Sequence, residues 1–597
     1  MDRANNRPTL LDFGWLAICV LASSAWCVSA ASQLSATFDE PLYMVHGLEG
    51  WRTGSNAGLI RFGTMPLPID VETLPVYLWE RWRGEPFDPL ANLDQILPVA
   101  RAAALVFWWT LLVYGWLVGR KLAGPWGGRL AVAWLACEPN LLAHASLATT
   151  DIAISACLLA LGYHFAGGRE ATWRRRVALP GVLYGVALAA KASALVYGPL
   201  ILAAIEFERL WRNGQFKACF AASADAASMG RLRRLAALFG RLREFSLPFR
   251  RDLLQAMAIG FGVMLVYCGC DWRPEPSFVV WAQKLPEGGF HDAMLWIAEH
   301  LRIFSNGAEG IVRQIKHNLK GHHGAYLLGE VHAREVWYYF PVAFSIKLAL
   351  PLLFAPLAVA SGRRRAALNW ACAAALVLFL FSMNCRVQIG IRLMLPLIVM
   401  LVVGLSAAIA DAAANARSIV GRRLWGFAAA ASVAWTLLAA CQVWPHGLCY
   451  TNELWGGVSE GYMCLSDSNY DWGQGVKELR RWQQDQGIDV LNVWYFGTDP
   501  AVAVPPLRFL PLQQLPMNRP EDVLAYAEGD YFAVGATLLY GTTTCQEPHR
   551  KAVEFFRRLQ PVARTTTFLI FDVGDKTVAA SPEGPIERQA SRLRSRP

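Results

Sequence analysis

The chain has 597 residues, 54% of them hydrophobic and only 17% charged, against roughly 45 to 50% and about 25% in soluble domains. That excludes a disordered or collagen-like chain, and the net charge of +10 does not indicate nucleic acid, because the arginines cluster in short runs between apolar segments. Roughly eleven apolar runs of about 20 residues would use about 220 residues and leave about 375 outside the lipid.

The first run, residues 13–31, follows Arg3 and Arg7. A cleaved signal peptide is the competing reading. The run is long for that, and more apolar segments follow, so it reads as a first anchor helix. Further spans are expected near residues 98–119, 129–145, 152–167, 177–190, 193–206, 252–270, 339–360, 366–383, 393–411 and 424–443. The stretch from Val177 to Ile205 carries Lys191 at its middle, and a charge at the centre of a span is costly in lipid. Two short helices that bring Lys191 to the far surface solve this; one long tilted helix with a bundle-facing lysine is the alternative. With the split, five basic groups fall on one side: Arg120, Lys121 and Arg129; Arg169 and Arg174 to Arg176; the arginine-rich 207–251 stretch; Arg363 to Arg365; and Arg417, Arg422 and Arg423. By the positive-inside rule that side is the cytoplasm, which holds the N-terminus.

Residues 35–97, 271–338 and everything after 444 then lie outside. The first of these loops is acidic, with Asp39, Glu40, Glu49, Asp70, Glu72, Glu80, Glu85, Asp88 and Asp94 against Arg52, Arg61, Arg81 and Arg83. The tail from Pro445 holds strand-like runs at 488–496, 531–540 and 567–573 and a helix-like stretch from Val476 to Gln486, the pattern of a small α/β domain. The fold class expected is therefore a polytopic α-helical membrane protein of about 11 transmembrane helices (residues 1–443) with a C-terminal extracytoplasmic α/β domain (444–582) and a disordered tail (583–597). No internal repeat argues for duplicated transporter halves. The 13 cysteines form no CxxC metal pattern; Cys449, Cys464 and Cys545 fall in the outer domain, where one disulfide could form in an oxidising compartment.

The segment TFDEPLY sets Asp39 and Glu40 side by side just after the first span. Such a pair can simply be solvated. What argues for chemistry is its company on the same face: His144 and Asp151 in HASLATTD, Lys191 in ALAAKASAL, Lys347 in YYFPVAFSIKLALP, and Arg386 and Arg392 in NCRVQIGIRLMLP. Ionisable groups at the hydrocarbon edge are functional candidates because they are costly to place there, with snorkelling to the headgroups as the alternative for Lys347 and Arg392. Carboxylates plus cations at one membrane surface suit an anionic, lipid-linked substrate. A carboxylate can deprotonate an acceptor hydroxyl and cations can stabilise a departing phosphate. The segment DSNYDWGQ, with Asp467, Asn469, Asp471, Trp472 and Gln474, follows the last span and reads either as a turn into a helix N-terminus or as a substrate contact.

With FDEPLYMVHGLEGW, ARAAALVFWW, LLAHASLATTDIAI and GVALAAKASAL in this order, the sequence resembles the GT-C superfamily of membrane glycosyltransferases. Within it the likeness is to the protein O-mannosyltransferase group, glycosyltransferase family 39, of bacterial type. YLLGE (326–330), WYYFPVAFSIKLALP (337–351), IGIRLMLP (389–396) and PHGLCYTNELWGG running on to DSNYDWGQ (445–474) are similar to the same group. The resemblance covers residues from about 10 to 500. It implies an inverting transfer of a mannose-like hexose or similar sugar from a polyprenyl-phosphate donor to a hydroxyl of a protein, lipid or glycan acceptor, at the outer face of a bacterial inner membrane. Asp39 is then the general base, Glu40 its acceptor-orienting neighbour, and His144, Asp151, Lys191, Lys347, Arg386, Arg392 and Asp471 substrate-binding residues. The chain departs from the pattern at GTMPLPID, where relatives often carry a His-Pro-Pro type sequence, and at IGIRLMLP, which lacks the tyrosine that follows arginine in many members. Two or three carboxylates could hold Mg²⁺ or Mn²⁺, which other branches of the superfamily use; the mannosyltransferase branch is not considered to need one, and none is expected to be required. Two other readings stand beside the enzyme: a flippase for the lipid-linked sugar, and an inactive scaffold whose outer domain binds a partner.

Overall fold

The computed structural model describes residues 8–214, 231–274, 276–300, 302, 305–321 and 324–574. Among these, six helices are long and apolar enough to cross a membrane: Leu10–Gln33, Leu93–Leu135, Thr150–Gly168, Ser246–Cys268, Ile391–Ala414 and Ile419–Val443. The chain is an integral membrane protein built mostly of helices. Ile391–Ala414 forms the centre of the bundle, 89% of its most apolar stretch being buried, and it packs along Leu93–Leu135. Leu10–Gln33 and Ile419–Val443, at 22% and 17%, turn most of their apolar surface outward, as helices facing lipid do.

The expected spans are altered in three places, each for a readable reason. Residues 98–119 and the start of 129–145 lie on separate arms, as two expected spans require, but the run 129–145 is cut short. The helix Leu93–Leu135 reverses at Ala123 and Gly124 (φ 74), and its two arms cross so closely that a Cβ on Gly119 would lie 2.5 Å from the Gly127 carbonyl oxygen. Only glycine permits that reversal and that approach. The second arm stops at Leu135, and Pro139 opens a short buried helix, Pro139–Ala145. Residues 339–360 are not one span either: Tyr339–Lys347 and Leu350–Arg363 meet at 108°. The break falls at Lys347, whose fully buried ammonium reaches the carbonyls of Leu448 and Asn469, both at 2.7 Å, and at Pro351, which cannot continue a helical ladder. Third, the 366–383 run yields only the 13-residue helix Trp370–Ser382. The split at Lys191 is present, with that residue extended (φ −162, ψ 136) between Leu179–Ala190 and Ala194–Arg212.

The first loop folds into Glu40–Thr53, Ala57–Arg61 and Pro66–Arg83 around Met44, Leu48, Val76 and Ile96. The second contributes Pro276–Gln283, Gly289–His300 and the amphipathic Ser305–Lys320, followed by the antiparallel pair β1 (Ala325–Leu327) and β2 (Glu330–His332). The C-terminal region holds β3 (Leu491–Trp494), β4 (Leu507–Phe509), β5 (Tyr531–Gly535), β6 (Ala563–Arg564) and β7 (Phe568–Asp572) in the order β4-β3-β5-β7-β6. β3 runs parallel to β4 and β5, and β7 antiparallel to β5 and β6. Trp494, Phe532, Phe556 and Phe571 fill one face of this sheet. The expected run 531–540 is strand only to Gly535; Ala536–Leu539 turns helical. The helix expected from Val476 ends at Asp485, and the tail 583–597 lies outside the described residues. Cys449, Cys464 and Cys545 are free thiols.

Candidate active site

After Gln33 the first helix ends, and the chain turns through residues 34–39 before Glu40 begins the next helix. Arg101 holds this turn together. Its guanidinium donates to the carbonyls of Ala31 (2.8 Å), Leu34 (3.1 Å) and Ser35 (2.7 Å), and makes two bonds to Glu40, from Nε to Oε1 at 2.8 Å and from Nη2 to Oε2 at 2.7 Å. Glu40 also accepts from the amides of Thr37 (2.8 Å) and Ala148 (2.9 Å). Burial alone would raise the Glu40 carboxyl, but the Arg101 charge and these donors hold it below the usual carboxylate range. From the other side, the amides of Ser35 and Phe38 donate to the carbonyls of Gln474 (3.0 Å) and Trp472 (2.9 Å). The tail segment DSNYDWGQ is thus sewn to the turn that carries Asp39.

Asp39 occupies the N-cap position of Glu40–Thr53 but makes no capping bond. Its carboxylate faces a cavity of about 740 Å³. There Oδ2 accepts from Arg392 Nη1 at 2.9 Å and from the Tyr43 hydroxyl at 3.4 Å. Arg392 also lies 3.9 Å from Asp151 Oδ2, and its guanidinium sits 4.1 Å above the Trp472 ring, a favourable cation–π geometry. Asp151, fully buried in the first turn of Thr150–Gly168, is ion-paired to Lys191, and His144 Nδ1 approaches it to 3.8 Å. Asp39, Arg392, Asp151 and Lys191 therefore alternate in charge, with Asp151 set behind the cavity wall.

Of the residues expected from sequence, Asp39, Lys191, Arg386 and Arg392 line the cavity. Arg386 stands half-exposed at its rim, 3.4 Å from Glu335. Asp151 and His144 form the layer directly behind. Three others have different places. Glu40 points into the protein, with both oxygens occupied by Arg101 and two amides. Lys347 bridges two backbone carbonyls in the core. Asp471 is buried, accepting from the Gly473 amide (3.2 Å) and the Thr537 amide (3.1 Å), and burial pushes its carboxyl up to about 7. These three are framework. Sequence reading singled out Asp471 of DSNYDWGQ, whereas Asp467 of the same segment reaches the cavity, as do Trp472 and Phe496. Tyr43 and the face of Ser305–Lys320 bearing Gln314 and Asn318 were not anticipated. The amphipathicity of that helix was the available signal.

Among the described residues no three His, Cys, Asp or Glu side chains are grouped to hold a metal ion. Asp39 and Asp151 already face Arg392 and Lys191, so their oxygens are engaged by cations rather than set out as a metal donor group.

No protein-family model matches the chain, and no curated protein does. In structure it is similar to ArnT from Cupriavidus metallidurans in the apo state, with 13% identity over 96% of this chain and 99% of that one and a TM-score of 0.41. ArnT bound to undecaprenyl phosphate gives 14% identity, the same coverage and a TM-score of 0.40. The archaeal oligosaccharyltransferase AglB from Archaeoglobus fulgidus, in complex with an inhibitory peptide and a dolichol-phosphate, gives 11% identity over 96% of this chain and 75% of that one, at a TM-score of 0.39.

Proposed function

We propose that the chain is a GT-C type glycosyltransferase that moves a mannose-like hexose or similar sugar from a polyprenyl-phosphate donor to an acceptor hydroxyl, with inversion, at the outer face of a bacterial inner membrane. The N-terminus is cytoplasmic and the C-terminal α/β domain extracytoplasmic. One observation carries the reading: a carboxylate, Asp39, shares one cavity with Arg392 and Lys191. A base and an anion-binding pair within reach of each other are what this transfer requires.

Asp39 takes the proton of the acceptor hydroxyl as that oxygen attacks the anomeric carbon from the face opposite the phosphate. The bond between the anomeric carbon and the phosphate oxygen breaks, and polyprenyl phosphate leaves with the electron pair. Arg392 and Lys191 meet the charge that develops on the leaving phosphate. The guanidinium fork suits phosphate geometry, and Trp472 beneath it holds its plane. The acceptor is a protein, a lipid or a glycan hydroxyl.

The test compares membranes carrying wild type and Asp39→Asn for transfer from radiolabelled undecaprenyl-phosphate sugars, with the labelled product identified. Transfer by the wild type and its loss in the variant, at equal protein level, is the expected result. Equal transfer by both removes Asp39 as the base, and labelled lipid that crosses the bilayer without reacting favours a flippase.

A further inference from the structure

The cavity holds a second carboxylate, and it belongs to the C-terminal region. Asp467 lines the same space as Asp39 and Arg392, and its backbone sits in the left-handed region (φ 57), which aspartate tolerates better than most residues. That conformation is held from several sides. The Asp467 amide donates to Thr537 Oγ1 at 2.9 Å, and Oδ1 accepts from the Ser468 amide at 2.6 Å. Ser468 Oγ in turn donates to the Ile389 carbonyl at 2.8 Å, and the Ile391 amide donates to Asn469 Oδ1 at 2.9 Å. Gly390 lets the two strands of chain meet, since a Cβ there would stand 2.2 Å from Ser468 Oγ. A half-buried carboxylate in a strained but well-braced turn, opening on a cavity, is costly for stability and is found where a ligand needs it.

We propose that Asp467 determines sugar specificity: its carboxylate accepts hydrogen bonds from the hydroxyls of the donor sugar while Arg392 and Lys191 hold the phosphate. This rests on the reading of the chain as a transferase that uses a lipid-linked sugar. A carboxylate repels phosphate, so its natural ligand in this cavity is the neutral, hydroxyl-rich part of the donor. That part is attached directly to the phosphate oxygen, and Asp467 lies within the electrostatic reach of Arg392. An ionised carboxylate can accept two neighbouring hydroxyls at once, which discriminates sugars by the configuration of those hydroxyls. Trp472 and the stacked pair Phe38 and Phe496, 5.4 Å between centroids, add an apolar surface for a sugar ring in the same wall. The region after the last span thus acts as the sugar-reading roof of a phosphate site made by the membrane helices.

The test uses the full chain in nanodiscs and Asp467→Asn, which keeps the shape and tolerates positive φ. Two probes are titrated: undecaprenyl phosphate, and the same lipid phosphate linked to mannose, glucose or galactose. Wild type is expected to bind one sugar-linked lipid about ten-fold or more tighter than undecaprenyl phosphate. Asp467→Asn should erase that preference and the ranking among sugars while binding undecaprenyl phosphate within about two-fold of wild type. In turnover, the variant should raise donor KM far more than it lowers kcat. A wild type with no preference for any sugar-linked lipid, or a variant that retains the preference or loses undecaprenyl phosphate equally, overturns the assignment. Failure of the transferase reading is separate: it is the absence of product with every donor, which leaves the binding comparison intact.

Discussion

Arg392 donates a 2.9 Å hydrogen bond to Asp39, 353 residues earlier in the chain, and Asp39 is its one hydrogen-bond acceptor among the described residues. The guanidinium has five donors, so its others are available to an anion. A phosphate arriving at Arg392 competes with Asp39 for the guanidinium. Arg392→Lys keeps the charge but loses the fork and the stacking on Trp472. It is expected to lower kcat/KM by about 10² to 10³-fold, the scale of removing one preorganised donor, and to weaken binding of undecaprenyl phosphate. Full activity in the lysine variant would show that the fork is not used.

Asp151, fully buried behind that wall, is ion-paired to Lys191, which lines the cavity with a side chain 22% exposed. Breaking one side leaves a charge that the surroundings cannot solvate. Asp151→Asn is expected to cost about 3 to 5 kcal/mol of stability. The double variant Asp151→Asn with Lys191→Met should recover part of the loss, since no orphan ammonium remains. Thermal melts of the four proteins in one detergent measure the coupling, and strictly additive losses would mean that the pair does not interact energetically.

Much of this site is legible in the sequence because membranes punish charge. Asp39, Asp151, Lys191 and Arg392 each break an apolar context, and all four converge. Which of two neighbouring charges faces the cavity is not legible. Asp39 and Glu40 are adjacent, yet one precedes a helix and the other begins it, and the partner that draws Glu40 inward, Arg101, is 61 residues away. Asp467 and Asp471 sit in an irregular segment with no period from which a facing side can be read. Lys347 looked like a site cation because it interrupts a hydrophobic run. In the fold its ammonium ties the bend of a broken helix to two carbonyls of the tail, contacts across about a hundred residues. The bundle was likewise legible as apolar runs, and so was the interruption between 98–119 and 129–145, while the 108° break was not, since length alone made a continuous span of 339–360.

The Arg101–Glu40 clamp sets where Asp39 stands, so its loss should appear in both stability and turnover. Glu40→Gln leaves a buried guanidinium without its counter-charge and is expected to cost about 3 to 5 kcal/mol. The pH dependence follows from the lowered carboxyl. A group depressed in the folded state contributes stability that is complete above its unfolded value, about 4.3 for glutamate, and is lost as the pH falls through the folded value. Wild type should therefore lose melting temperature steeply below about pH 4.3, while Glu40→Gln starts lower and falls less. Parallel curves for the two proteins would contradict a stabilising Glu40 carboxylate.

Asp467 gives the opposite sign. Burial pushes its carboxyl up to about 6 against the pull of Arg392 and the Ser468 amide, with Asp39 adding repulsion. A carboxyl raised above its unfolded value of about 3.9 stabilises the fold fully below that value and ceases to do so as the pH rises through about 6. Acceptance of two sugar hydroxyls, however, needs the ionised form. Between about pH 4 and pH 6 stability and donor recognition therefore move in opposite directions: acid relieves the roof and weakens its grip on the sugar. The expected observation is a rise in donor KM as the pH drops through about 6 that is present in wild type and absent in Asp467→Asn, whose amide does not titrate. If the same acidic limb persists in Asp467→Asn, the titrating group lies elsewhere and Asp467 does not read the donor as a carboxylate.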